Sequence, residues 1–165
     1  MAKFPVSKEF LEKNELKGKD KENLEKGIIT ELDINVSKIL YPLLKDVENL
    51  EIVRAIQSDE TLLTILVRGN ESVLFKNDGN CISTLSKELK KKIRVVPITH
   101  NPEITLASLF NVKFIKIEEK YFKENLNNTV VTFYLKSKDK NTKQLEELKS
   151  VLSYLYQKDV EIILE

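Results

Sequence analysis

The feature that most limits what this chain can fold into is an order of hydrophobic patterns that occurs twice. Each half reads helix, strand, strand, polar loop, helix, strand, although residue identity between the halves is low. In the first half Ile34, Val36, Ile39, Leu40, Leu43 and Leu44 make an apolar stripe near helical spacing. Asp33 or Asn35 is placed to cap it, and Pro42 limits the regularity of its last turn. Strands are expected at 50–57 and 61–67, around the turn signal Ser58-Asp59-Glu60. There Val53, Ala55, Leu63, Ile65 and Val67 alternate with more polar neighbours, the pattern of a hairpin with one buried face. A short apolar turn at Val73-Leu74-Phe75 leads to the polar loop Lys76-Asn77-Asp78-Gly79 and a helix over about 80–91. Ile82, Leu85 and Leu89 lie on its stripe, with Lys87, Lys90 and Lys91 away from it. Ile93-Arg94-Val95-Val96 then reads as a strand stopped by Pro97.

The last third repeats this order. A helix over 103–110 follows Pro102, strands follow at 112–117 and 129–135, and a lysine-rich loop over 136–142 precedes a helix over about 143–157. Leu145, Leu148, Leu152 and Leu155 share one stripe of that helix, and 160–164 reads as the closing strand. Residues 1–33 differ. They are dense in charge, with Phe10, Leu11, Leu16 and Leu24 as scattered apolar points, which suits a mobile or weakly docked helical extension. The expected organisation is therefore a charged extension at 1–33 and two units at 34–98 and 99–165.

Composition narrows the function classes. With 165 residues and 41% hydrophobic content, the chain can bury a core in one ordinary domain or two small ones. Its 27 Lys+Arg against 26 Asp+Glu leave a formal charge of +1, so any electrostatic footprint must be local. The single cysteine, Cys81, has no partner for an internal disulfide and reads as a small core residue. The single histidine, His100, builds no multi-histidine metal site and reads as a linker side chain. No Walker-type loop, GxGxxG after a strand or Ser-His-Asp set is present. The adjacent carboxylates Glu118-Glu119 and Glu146-Glu147 diverge as neighbours must and read as solvated surface. A non-enzyme without metal or cofactor is expected. The start, MAKFPVSKEF, lacks an apolar core for a secretory signal, and the apolar runs are too short to span a bilayer, so a soluble cytoplasmic protein without a membrane partner is expected.

Four stretches carry a family resemblance: the Lys76–Gly79 loop, the apolar pair Ile82 and Leu85, the strand Lys92-Ile93-Arg94-Val95-Val96, and NPEITLASLFNVKFIKIEE from Asn101. Over residues 34–165 the chain resembles the prokaryotic, type II KH domain, two in tandem, as in the archaeal NusA-like transcription factors. It is also similar to the amino-terminal KH region of archaeal cleavage and polyadenylation specificity factors. The resemblance implies an α+β fold of two α-β-β-α-α-β units and a role in binding single-stranded RNA during transcription elongation or termination. In such modules a GxxG loop at a helix N-terminus grips the backbone. Here Lys76 stands at a glycine position and Asp78 adds a negative charge, so the loop is a degenerate GxxG. Its counterpart, Asp139-Lys140-Asn141-Thr142, has no glycine.

The RNA contacts so implied are Lys76, Asn77, Gly79, Lys87, Lys90, Lys91 and Arg94 in the first unit and Lys138, Lys140 and Lys143 in the second, with Lys136 alongside. Ile82, Leu85, Leu89, Ile93 and Val95 are candidates for an apolar floor under the bases, although packing accounts for each of them alone. Tyr121 and Phe122 lie between strands. Phe133 and Tyr134 point to opposite faces, leaving one of them to stack or to meet a partner. The alternative is a degenerate KH module that docks on a protein: polymerase, ribosome or another factor.

Overall fold

A computed structural model describes residues 1–57, 60–76, 80–121, 129–138 and 141–165. The chain is α+β and divides into two compact units, Met1–Ile98 and Thr99–Glu165. Each contains one three-stranded mixed sheet.

In the N-terminal unit the helices are α1 (Lys8–Lys13), α2 (Gly18–Glu25), α3 (Glu31–Leu44) and α4 (Cys81–Leu89). Its strands are β1 (Leu50–Gln57), β2 (Leu62–Gly69) and β3 (Lys92–Pro97), with a 3-10 turn at Glu71–Phe75. The sheet order is β1-β2-β3, the first pair antiparallel and the second parallel. A parallel second pair requires a crossover, and α4 supplies it. Pro97 does not stop β3 short. It is the last paired residue, opposite Val67, at an edge where its missing N–H costs no ladder bond.

The cap of α3 is Thr30, not Asp33 or Asn35. The Thr30 hydroxyl accepts from the Asp33 N–H at 3.2 Å, and the Asp33 carboxylate accepts from the Thr30 N–H at 2.8 Å. The second carboxylate oxygen of Asp33 accepts from the Ala55 N–H of β1 at 2.7 Å, so one buried side chain starts the helix and fixes the neighbouring strand. The α3 stripe, Val36, Leu40 and Leu44, packs with Ile52, Leu63, Ile65, Val67, Leu85 and Val95 in one core. On β2 the expected single buried face is corrected: Leu63 through Val67 are all buried, so both faces of this central strand are covered.

Residues 1–33 are not a loose arm. Lys3 pairs in parallel with Glu51, donating its N–H to the Leu50 carbonyl (2.9 Å) and accepting from Ile52 (2.8 Å), which covers the outer edge of β1. Val6, Phe10 and Ile29 are buried with Ile34 in a second cluster. The buried Asp20 accepts from both the backbone and the hydroxyl of Ser7, the N-cap of α1. Four apolar points in a charged stretch looked too few to dock it. The docking uses Ala2 and Val6 and backbone pairing, which a side-chain pattern does not register.

The C-terminal unit runs α5 (Pro102–Phe110), β4 (Val112–Tyr121), β5 (Thr129–Ser137), α6 (Thr142–Tyr156) and β6 (Asp159–Leu164). The order β4-β5-β6 and the antiparallel-then-parallel pairing repeat those of the first sheet. Lys136, expected in a loop, is a β5 residue. Only residues 138–141 separate β5 from α6, too few for the additional helix that the α-β-β-α-α-β order requires. On the helix side Val131, Phe133, Leu135, Leu148, Val151, Leu152 and Val160 are buried, and the Phe133 ring meets Phe114 and Tyr156 edge-on at 5.9 and 5.2 Å. Glu147, expected on solvated surface, is buried and engaged beside Leu148, whereas Glu146 is exposed.

Candidate nucleic-acid interface

The expected contacts in the N-terminal unit gather around α4 but not at one point. Asn80 caps the helix, its side chain accepting from the Ser83 N–H at 2.6 Å. Lys76, exposed and extended, closes the 3-10 turn ahead of it. Lys87, in the last turn, and Lys90, the C-cap, are exposed, and Lys91 is half-buried. Lys90 adopts φ +53, and the next N–H, that of Lys91, donates to the Ser86 carbonyl at 3.3 Å while the Ser86 hydroxyl donates to the Lys91 carbonyl at 2.7 Å. This turn gathers Lys87, Lys90, Lys91 and the exposed Lys92 at the end of α4, where cations also complement the helix dipole. The other end of α4 is about 13 Å away at 1.5 Å per residue, and Lys76 precedes that end in the chain.

Arg94 does not join them. Its neighbours Ile93 and Val95 face the core with α4, so the alternation of β3 puts Arg94 on the other sheet face, opposite Thr64. There it is half-buried and already engaged. Leu85 and Val95 are buried, and Ile82, Leu89 and Ile93 pack against the same cluster, so the expected floor residues are core. Cys81 is buried there too, with its thiol pushed up by burial. Asn77 and Gly79 lie outside the described residues.

In the C-terminal unit Lys138 and Lys143 are exposed, after β5 and in the first turn of α6. Asn141 caps that helix, its side chain accepting from Lys143 and Gln144. Lys140 and Phe122 lie outside the described residues. Tyr121 ends β4 exposed. Of the strand aromatics, Phe133 is core and Tyr134 is half-buried on the outer face. The Tyr134 hydroxyl donates to a Glu118 carboxylate oxygen at 2.8 Å, and the Lys116 ammonium sits 5.5 Å from the ring centroid while pairing with Glu118. That pairing, with the Tyr134 bond second, holds the Glu118 carboxyl below the usual range. The Glu118 bond and burial raise the Tyr134 phenol. Sequence reasoning missed Lys113 and Lys116 altogether. Both fall on strand β4, where the spacing of three gives no hint of a shared face.

Among the described residues no group of three His, Cys, Asp or Glu could hold a metal ion, and no helix is long and apolar enough to cross a membrane. No family model and no curated protein matches the chain. Solved structures do match, 43 chains of them, so this arrangement of elements recurs. One is reported as "Crystal structure of APE1850", with a TM-score of 0.55 and 20% identity, covering 80% of this chain and 96% of that one. At that identity the likeness is one of fold alone.

Proposed function

We propose that this chain binds single-stranded RNA through two KH-like units of the NusA-like type, acts in transcription elongation or termination, and does so in the cytoplasm without catalysis. The observation that carries the reading is the recurrence, in both units, of helix, strand, strand, helix and strand around one mixed sheet, with lysines flanking the second helix of each. In the N-terminal unit a strand running along α4 would meet Lys76 at one end and Lys87, Lys90 and Lys91 at the other. Contacts of that kind need charge and reach rather than a glycine loop. In the C-terminal unit Lys138 and Lys143 both lie at the start of α6 and would offer contacts of the same kind at that end alone.

A short labelled oligonucleotide titrated at low and higher salt tests this. Affinity is expected to fall about tenfold or more between roughly 50 and 200 mM salt, and to fall again in Lys76→Ala and Lys90→Ala. The second reading, docking on polymerase, ribosome or another protein, is favoured by the packed floor residues and the engaged Arg94. It gains if no oligonucleotide binds.

A further inference from the structure

The two sheets correspond rung by rung. In the first, β1 and β2 pair as Leu50 with Gly69, Glu51 with Arg68 and Ile52 with Val67, then a bulge, then Arg54 with Leu66. In the second, β4 and β5 pair as Val112 with Ser137, Lys113 with Lys136 and Phe114 with Leu135, then a bulge, then Lys116 with Tyr134. At the second rung the first sheet holds an ion pair, Arg68 to Glu51 at 3.1 Å. The second sheet holds two exposed lysines there, their Cβ atoms about 5 Å apart as for any directly opposed pair. Like charges so placed repel, and an anion between them converts the repulsion into two attractions.

The bulge concentrates the charge further. On a regular strand Lys113 and Lys116, three residues apart, would point to opposite faces. The extra residue between Phe114 and Lys116 brings both onto the face of Tyr134. Ile163, 41% exposed, is the neighbour of Tyr134 on β6. The carboxylates on this face are Glu118, already committed to Lys116 and Tyr134, Glu165, whose backbone pairs with Leu135 beside Lys136, and the exposed Glu161. Glu161 lies opposite Thr132 and one step along β6 from Ile163, on the side of Tyr134 away from the Lys113–Lys136 rung.

We infer that the Lys113–Lys136 end of the outer face of the β4-β5-β6 sheet is a second contact surface for single-stranded nucleic acid, with Lys113 and Lys136 holding a backbone phosphate and Tyr134, half-buried between Lys116 and Ile163, offering the exposed part of its ring to a base. The inference rests on the RNA-binding reading above and adds to it a surface apart from the α4 lysines. The Glu118 bond to the Tyr134 hydroxyl fixes the ring plane before the base arrives, which lowers the entropic cost of stacking.

Titration of the full chain with a labelled oligouridylate tests it. Lys136→Glu recreates on this rung the opposite-charge pair of the first sheet. It is expected to weaken binding about tenfold and to lower the salt slope, whereas Lys149→Glu, the same charge change on the exposed side of α6, leaves affinity within about twofold. Tyr134→Leu, which installs the side chain found at Leu66, is expected to cost about tenfold with the unfolding midpoint preserved. If Lys90→Ala weakens binding while Lys136→Glu and Tyr134→Leu do not, the sheet surface is refuted and the α4 reading stands. If the unmodified chain binds no oligonucleotide, both fall together. If polyglutamate competes as well as RNA and is equally sensitive to Tyr134→Leu, the surface is a protein-docking face and the inference is overturned.

Discussion

The sheet of residues 50–97 and the sheet of residues 112–164 share strand order, pairing sense and the position of a bulge, yet their outer faces have opposite characters. Where the first carries Leu66, fully buried, the second carries Tyr134, half-buried under a lysine. Where the first neutralises a rung with Glu51 and Arg68, the second leaves Lys113 and Lys136 exposed. The outer edge of β1 is covered by the chain around Lys3, whereas Lys113, Ile115, Lys116, Ile117, Glu119, Lys120 and Tyr121 of β4 are exposed. At the Leu66 and Tyr134 rung one backbone plan thus serves as interior in one unit and as half-open surface in the other, whereas one rung further Thr64 and Thr132 are buried in both. Side-chain choice at equivalent rungs makes that difference, and it is where the units can differ in function.

Substitutions at matched positions test the contrast. The largest effect is expected at the central rung: Leu66→Ala should cost about 2–5 kcal/mol of unfolding free energy, and Tyr134→Ala about 1 kcal/mol or less, measured by urea denaturation. Equal losses would erase the distinction between buried and open faces.

Next comes the first rung. Gly69 has φ +93, and a Cβ there would lie 2.0 Å from the Asn49 carbonyl oxygen, so Gly69→Ala should cost about 2 kcal/mol or more. Its counterpart Ser137 already carries a Cβ, and Ser137→Ala should stay within about 0.5 kcal/mol. A neutral Gly69→Ala would mean that the β1 entry turn is laxer than its geometry.

Smaller and opposite in sign are the two buried threonines of the third open-face rung. Thr64 is engaged, whereas the Thr132 hydroxyl is buried without a hydrogen-bond partner. Thr132→Val should therefore stabilise by up to about 1 kcal/mol and Thr64→Val should destabilise by a similar amount. Thermal midpoints moving the same way in both variants would break the comparison.

The smallest effect at neutral pH concerns the phenols. Burial, then the bond to Glu103, holds the Tyr156 phenol far above its ordinary 10.0. A raised folded-state value means that the unfolded chain loses this proton first. The stabilisation is complete below pH 10 and is lost as pH climbs beyond it. Unfolding free energy should fall with pH in the alkaline range, and Tyr156→Phe should flatten that slope.

Much of the fold was legible because it is written locally. The stripe of Leu145, Leu148, Leu152 and Leu155 gave α6 within a residue at each end, and the alternation of Leu63, Ile65 and Val67 gave the core-facing side of β2. The cap of α3 was misplaced because Asp33 is itself a good cap residue. Only its bond to Ala55, 22 positions away, explains why it sits at the third helical position instead. The placement of the candidate contacts was partly legible. Lys87 and Lys90 lie exposed off the apolar stripe, as their spacing predicts, whereas the half-burial and engagement of Arg94 follow from the pairing of β3 with β2 and leave no mark in the local pattern. Lys113 and Lys116 were invisible because a bulge is a property of two paired strands and leaves no mark in the spacing of one.

The sequence by itself determined the order of most elements, the helix stripes and the core-facing residues of β2, since these follow from the periodicities of one segment. Only the tertiary structure decided which sheet face would be covered, which strand edge would be paired, and which lysines would share a face. Those outcomes depend on register between segments far apart in the chain, and a shift of one residue in register reverses the direction of every side chain that follows.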